Sequence, residues 1–252
     1  MSLLISPTRR SFVKRFAVGV AALSVSGRGW RNPLLLDLEA ATAAEQGTVR
    51  LTLTEFPVLQ QDLGSVRLTP NPVGQDHFPQ GNLYPLLVNR APGGTFYAMS
   101  ADCSHAHCVV DSYDELEQGL RCPCHRSLYG LDGAVLIGPA KRALKSYPLI
   151  FDGRETLTIR VPGLAFRVSP SLAGGPGVSR FRLSFPTEPN VTYEVLRLES
   201  VTGSGTAVPF SISAQGALDQ TSWVGDGESV SLYVEASLES GFFEIAMVLL
   251  EA

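Results

Sequence analysis

From residue 48 the chain alternates apolar and polar side chains. In TVRLTLTEF (48–56), Val49, Leu51 and Leu53 fall on one side of a period-two pattern, which predicts a half-buried strand. PLLVNRAPGGTFYAMS (85–100) places two apolar runs around Pro92-Gly93-Gly94 and predicts a hairpin. SLYGLDGAVLIG (127–138) and SYPLIFDGRETLTIRV (146–161) repeat that grammar around Asp132-Gly133 and Asp152-Gly153. Helical periodicity is weak throughout; the stretch 112–119 is the one place where a short helix is expected.

The pattern shifts after Pro162-Gly163. SLAGGPGVS (171–179) is read as part of a linker over 164–179. Beyond it, strands are predicted at 180–185, 192–198, 229–236 and 242–249, with an Asp226-Gly227 turn. The expectation is an all-β chain. A first β domain spans 48–163, and a second, small β-sandwich spans 180–252. The second region holds neither Cys nor His, so it is expected to be structural or to dock a partner. Asn190-Val191-Thr192 matches a glycosylation sequon and is read as coincidence.

Residues 1–43 read as an address. Thr8-Arg9-Arg10-Ser11-Phe12-Val13-Lys14 follows the twin-arginine export pattern, Phe16 to Gly27 is mildly apolar, and Ala41-Thr42-Ala43 offers a cleavage point. The apolar run is shorter than the roughly 20 residues of a membrane span, so cleavage is expected over an uncleaved signal anchor. The whole chain has 20 Lys and Arg against 24 Asp and Glu, a formal charge of −4. Without residues 1–43 the balance becomes more acidic. That argues against nucleic acid as a partner, because phosphate binding needs a basic face. A periplasmic location follows, with membrane association only through a complex or an uncleaved anchor.

The chemistry is concentrated in CSHAHC (103–108) and CPCHRS (122–127). Together they hold all four cysteines and three of the four histidines, His105, His107 and His125. Cys103-x-His105 and Cys122-x-x-His125 are separated by sixteen residues. One thiolate and one imidazole from each of two loops can grip a two-iron cluster, with sulfur on one iron and nitrogen on the other. Cys108 and Cys124 leave other arrangements open: four thiolate ligands with idle histidines, or disulfides in one of three pairings. A zinc site on the same residues is a competing reading. Its one-residue gap in the first box fits poorly with the spacing of zinc boxes.

These boxes resemble those of Rieske iron–sulfur proteins, C-T-H-L-G-C and C-P-C-H-G-S, in the disulfide-containing, high-potential branch. The resemblance covers about 48–163. It implies a Rieske fold of stacked antiparallel sheets and a [2Fe-2S] cluster, with Cys103 and Cys122 on the inner iron and His105 and His125 on the outer. It also implies a Cys108–Cys124 disulfide and hydrogen bonds to the cluster from Ser127 and Tyr129. Gly138, Pro139 and Ala140, followed by Leu144, are similar to the loop that covers the cluster in that family. Three positions depart from the pattern. His107 and Arg126 stand where the family often has Gly. Lys141 stands where a second Pro is common, which predicts a less rigid covering loop. Arg126 also puts a cation near the cluster, which favours its reduction.

The resemblance implies an electron carrier and a redox subunit rather than a complete enzyme. One version takes electrons from quinol beside cytochrome b and gives them to a cytochrome c. The other serves the molybdenum large subunit of an arsenite oxidase type complex; the short signal favours this one. A zinc-stabilised surface-binding module is the remote third. A Rieske oxygenase would need a second iron site, and outside the cluster ligands only His77 and His107 remain. No G-x-G-x-x-G motif follows a strand, so a dinucleotide site is not expected.

Overall fold

The computed structural model describes residues 14–21, 46–74, 76–81, 83–175, 178–198, 205–236 and 242–252. The twin-arginine pattern up to residue 13 and the Ala41–Ala43 cleavage point lie outside them. Residues 14–21, within the expected address segment, form strand β1 (Lys14–Ala21). Next come β2 (Gln46–Thr52), β3 (Ser65–Thr69), β4 (Leu86–Arg90) and β5 (Phe96–Ser100). In β2 the predicted alternation holds: Val49 and Leu51 are buried, while Thr48, Arg50 and Thr52 are partly exposed. The Pro92-Gly93-Gly94 hairpin pairs Leu86 with Ser100 and Arg90 with Phe96.

A four-stranded antiparallel sheet follows, formed by β6 (Tyr113–Asp114), β7 (Gly119–Arg121), β8 (Leu128–Tyr129) and β9 (Val135–Ile137). The helix expected at 112–119 is not there. Asp114 Oδ1 accepts from the backbone N–H groups of Leu116 and Glu117 at 2.8 and 2.9 Å, and Gln118 takes φ +54°. A short acidic side chain that caps its own backbone favours a turn over a helix. Gly119 allows close packing, since a Cβ there would sit 2.7 Å from the Tyr129 carbonyl oxygen. The chain then returns through β10 (Ser146–Tyr147), β11 (Leu149–Phe151) and β12 (Thr156–Pro162). Asp152 Oδ1 closes the β11–β12 turn by accepting three backbone N–H bonds, from Arg154, Glu155 and Thr156. Those bonds hold its carboxyl down at about 2.

The expected linker is instead half of a hairpin. β13 (Ser169–Gly175) pairs along its length with β14 (Val178–Pro186), from Ser169↔Ser184 to Gly175↔Val178. Gly174 and Gly175, two of the residues that suggested a linker, end β13. The remaining strands are β15 (Thr192–Leu198), β16 (Thr206–Ala207), β17 (Trp223–Val224), β18 (Ser229–Glu235) and β19 (Phe242–Glu251). β13, β14 and β18 make one three-stranded sheet, and β11, β12 and β2 another. The largest sheet runs β10-β5-β4-β3-β19-β15-β16, with β1 on β19 and β17 on β15.

The C-terminal β unit therefore does not hang free. β19 adds to β3 through Leu250↔Thr69 and Glu251↔Leu68. One apolar cluster runs from Val49, Leu51 and Ile159 to Phe185, Tyr193 and Ile245. Each such side chain contributes about 1.5–3 kcal/mol when fully buried, so sheet and core cross the expected boundary at 164–179. A second, smaller cluster of Leu87, Met99, Val109, Val110, Leu120, Tyr129 and Leu144 includes Cys103 and Cys122. That second core is the seat of the candidate site. No helix among the described residues is long and apolar enough to cross a membrane.

Candidate metal centre

Two loops rise from the smaller core. The first, residues 101–112, joins β5 to β6; the second, 122–127, joins β7 to β8. They are built alike. The Cys103 N–H donates to the Cys108 carbonyl at 3.0 Å, and the His107 N–H donates to the Cys103 carbonyl at 2.9 Å. In the second loop the Cys122 N–H donates to the Ser127 carbonyl at 2.8 Å, and the Arg126 N–H donates to the Cys122 carbonyl at 2.9 Å. In both, the fourth residue after the cysteine is left-handed: His107 at φ +58° and Arg126 at φ +64°. These are the two positions where the related boxes carry Gly. A tight turn that needs positive φ explains that preference.

Each turn buries its first sulfur and exposes its imidazole. Cys103 and Cys122 are 0% and 1% exposed and carry free thiols. His105 and His125 are exposed, and their rings meet edge to face with centroids 4.6 Å apart. Cys108 and Cys124 are joined by a disulfide that staples loop to loop. The site residues singled out in the sequence thus meet in one place.

The polar support is asymmetric. The Tyr129 hydroxyl is 3.3 Å from Cys103 Sγ and 3.5 Å from Ser104 Oγ. Burial, then the neighbouring Cys103, pushes the phenol up to about 12. It keeps its proton and donates to the sulfur. Burial alone would raise the Cys103 thiol. The Tyr129 hydroxyl, the backbone at His105 and Ala106 and the Cys122 thiol all hydrogen-bond to it, and together they lower it. Burial and the contact with Cys103 push Cys122 up to about 11. Two buried sulfurs within reach of one another, one of them held below its ordinary pKa by hydrogen bonds, suit a shared metal.

Ser127 is fully buried, and its Oγ accepts the Ala140 N–H at 3.0 Å. Among the described residues its own hydrogen has no acceptor. The Ser104 hydroxyl donates to the Arg142 carbonyl at 2.7 Å, and the Leu144 N–H donates to the Gly133 carbonyl at 3.0 Å. The loop carrying Gly138, Pro139 and Ala140 is thus tied to both cysteine loops, with anchors on each side of Lys141. Those ties offset the looseness expected from replacing a proline. Ser104 was not singled out in the sequence, although it lies inside the first box. Asp102 was also missed; its Oδ1 lies 3.0 Å from His107 Nδ1.

The donors come as a buried sulfur pair and an exposed nitrogen pair. Among the described residues, no three His, Cys, Asp or Glu side chains gather about a single ion. A two-iron cluster with one sulfur-held and one nitrogen-held iron needs such a divided set, and the residues fit it. The fold and the donor set define an all-β iron–sulfur domain with two ligand loops. Residues 64–148 match the family model of the Rieske [2Fe-2S] domain, and this part of the chain is a Rieske domain with its [2Fe-2S] cluster.

Similar proteins include the cytochrome b6-f complex iron-sulfur subunit of Chlorobaculum tepidum. It is 40% identical over 75 residues, covering 29% of this chain and 40% of that one. The cytochrome bc1 complex Rieske iron-sulfur subunit of Corynebacterium diphtheriae is 36% identical over 61 residues, covering 23% and 15%. The matched segment therefore spans less than half the length of either relative. Among solved structures, the plasma membrane Rieske protein PetC3 of Synechocystis PCC 6803 aligns at 29% identity over 31% of this chain and 85% of its own, with a TM-score of 0.27. Dicamba monooxygenase aligns at 13% identity over 68% and 72%, also with a TM-score of 0.27.

Proposed function

We propose that the protein is an exported, high-potential electron carrier. It takes electrons one at a time from quinol, within a cytochrome bc-type complex, and passes them to a cytochrome c or similar carrier. The observation that carries this reading is the exposed imidazole pair above a buried thiol pair. Cys103 and Cys122 would hold the inner iron, and His105 and His125 the outer. The cluster supplies one-electron storage. The chain supplies the rest: two imidazoles at the surface where a donor can reach them, and a phenol at Tyr129 that donates to a ligand sulfur. A hydrogen bond to ligand sulfur favours the more negative, reduced state and raises the potential. Ser127 is assigned the same role toward a cluster sulfide. Either imidazole, His105 or His125, can accept a quinol hydroxyl proton as the electron leaves.

The Cys108–Cys124 disulfide supports export, because such bonds persist in oxidising compartments. The Thr8–Lys14 pattern supports the twin-arginine route and a periplasmic location. The relatives named as cytochrome complex subunits support the quinol reading over service to a molybdenum large subunit. Stopped-flow mixing of the oxidised protein with a short-chain ubiquinol should bleach the cluster absorbance, and added cytochrome c should restore it. A cluster that reacts with cytochrome c but never with quinol would overturn the quinol reading and leave the molybdenum-subunit reading standing.

A further inference from the structure

Three polar side chains of the largest sheet reach across to the sheet that carries the site. β3 alternates: Val66 and Leu68 are buried in the larger core, and Ser65 and Arg67 take the other side. There Arg67 Nη1 donates to Asp111 Oδ1 at 2.6 Å and to the Val110 carbonyl at 3.3 Å. Ser65 Oγ accepts the Tyr113 N–H at 3.0 Å and donates to Asn89 Oδ1 at 2.7 Å. Asn89, opposite Ser65 on β4, donates from Nδ2 to the Leu131 carbonyl at 2.9 Å. Of the three, only Arg67 reaches a cysteine loop.

On the electron-carrier reading, we infer that Arg67 is a positioning residue for the cluster, acting through Asp111. Asp111 joins the two cysteine loops. It stands near the end of the first, and its N–H donates to the Arg121 carbonyl at 2.8 Å. Arg121 directly precedes Cys122. Val110, its neighbour, closes the base of the first loop by donating to the Ala101 carbonyl at 2.8 Å. Arg67 grips both residues, so it fixes where the first loop stands relative to the second. That placement sets the approach of Cys103 to Cys122 and to the Tyr129 hydroxyl.

The grip is polar and partly shielded. The Arg67 side chain is 13% exposed, and a charged hydrogen bond so placed is stronger than a surface ion pair. The outer side of the junction is a cavity of about 510 Å³, lined among others by Arg67, Asp111, Tyr113 and Arg121. Apolar packing there does not hold the loop in place of Arg67. A clamp and a pair of charges also predict different things. As charges, Arg67 and Asp111 would move the potential in opposite directions when removed. As a clamp, either removal releases the same loop.

The test is the rate of iron release to a chelator from the full-length holoprotein, with amide exchange read at Val110 and Asp111. Arg67→Met and Asp111→Ala should each speed release about tenfold, the scale of one charged hydrogen bond. Each should also shift the EPR g values in the same direction. The double variant should release iron no faster than either single variant, because all three lose the same contact. Arg67→Lys, which keeps the charge and the donors, should recover most of the parent rate. Asp62→Ala breaks the Arg90 ion pair elsewhere on the same sheet and should leave release unchanged. If Arg67→Met does not fold, Arg67→Gln reads the same contact at an intermediate rate. Parent release rates in both single variants, with or without a loss of thermal stability, would overturn the proposal. So would additive effects in the double variant, or potentials that move in opposite directions while release stays unchanged. Amide exchange at Val110 and Asp111 reports the clamp whatever metal the site holds. Iron content and EPR of the parent protein therefore judge the cluster reading separately.

Discussion

The two cysteine loops share one backbone circuit and differ in what they place at its strained point. In each, the cysteine N–H and carbonyl close a turn over the next five residues, and the fourth residue is left-handed. In the first loop that residue is His107, whose ring nitrogen pairs with Asp102 at 3.0 Å. In the second it is Arg126, which has no ion-pair partner among the described residues. The first loop also receives the Tyr129 hydroxyl, while the second carries Ser127 and its tie to the covering loop. The circuit sets where the donors go, and the substitutions around it set electronics and surface. Turn geometry is therefore the stricter constraint, and side-chain identity at the left-handed position is the freer one.

That contrast can be broken hardest at the ligands. His125→Ala should abolish cluster assembly, so purified protein should hold essentially no iron by metal analysis. Retained stoichiometric iron would remove His125 from the ligand set. Cys108→Ala should leave a cluster that forms but is lost readily. The disulfide closes a segment with a sequence separation of 16, and a bridge over such a loop is worth about 3 kcal/mol. Thermal unfolding and the rate of iron loss would both report it.

Smaller effects separate the two loops. Tyr129→Phe should keep the iron and lower the potential by roughly 40 mV, the equivalent of about one hydrogen bond for a one-electron couple. An unchanged potential in a redox titration would sink the hydrogen-bond argument. Arg126→Gly should relieve the left-handed backbone and stabilise the fold by about 1 kcal/mol. It should also lower the potential by less than Tyr129→Phe does, because solvent screens an exposed cation. His107→Gly should change stability by less than about 0.5 kcal/mol, since the relief is offset by the lost contact with Asp102. Denaturant titrations of the two glycine variants test the asymmetry directly.

Much of this was legible in the sequence because it is local. The Asp132-Gly133 and Asp152-Gly153 turns fall where their side chains cap their own backbone. The four proposed donor residues, Cys103, His105, Cys122 and His125, stand out by their spacing. What the sequence hid is long-range or conformational. Nothing local says that β19 will add to β3, or that Ser169–Gly175 will pair with 178–184 rather than wander. Gly174 and Gly175 at the end of β13 read the same as glycines in a linker. The turn at 112–119 was missed because periodicity does not show that Asp114 caps Leu116 and Glu117. His107 and Arg126 were visible as departures from Gly, but the positive φ that explains them was not. Ser104 gave no signal, since its partner Arg142 lies 38 residues away.

The central claim is that Cys103, His105, Cys122 and His125 hold a high-potential two-iron cluster. The most direct measurement is an EPR spectrum of the purified protein reduced with ascorbate, with iron and zinc measured on the same sample. The account predicts a rhombic two-iron signal with a low average g, already present with so mild a reductant, and two irons per chain. A silent spectrum with one zinc per chain would contradict it and leave a structural metal site in its place.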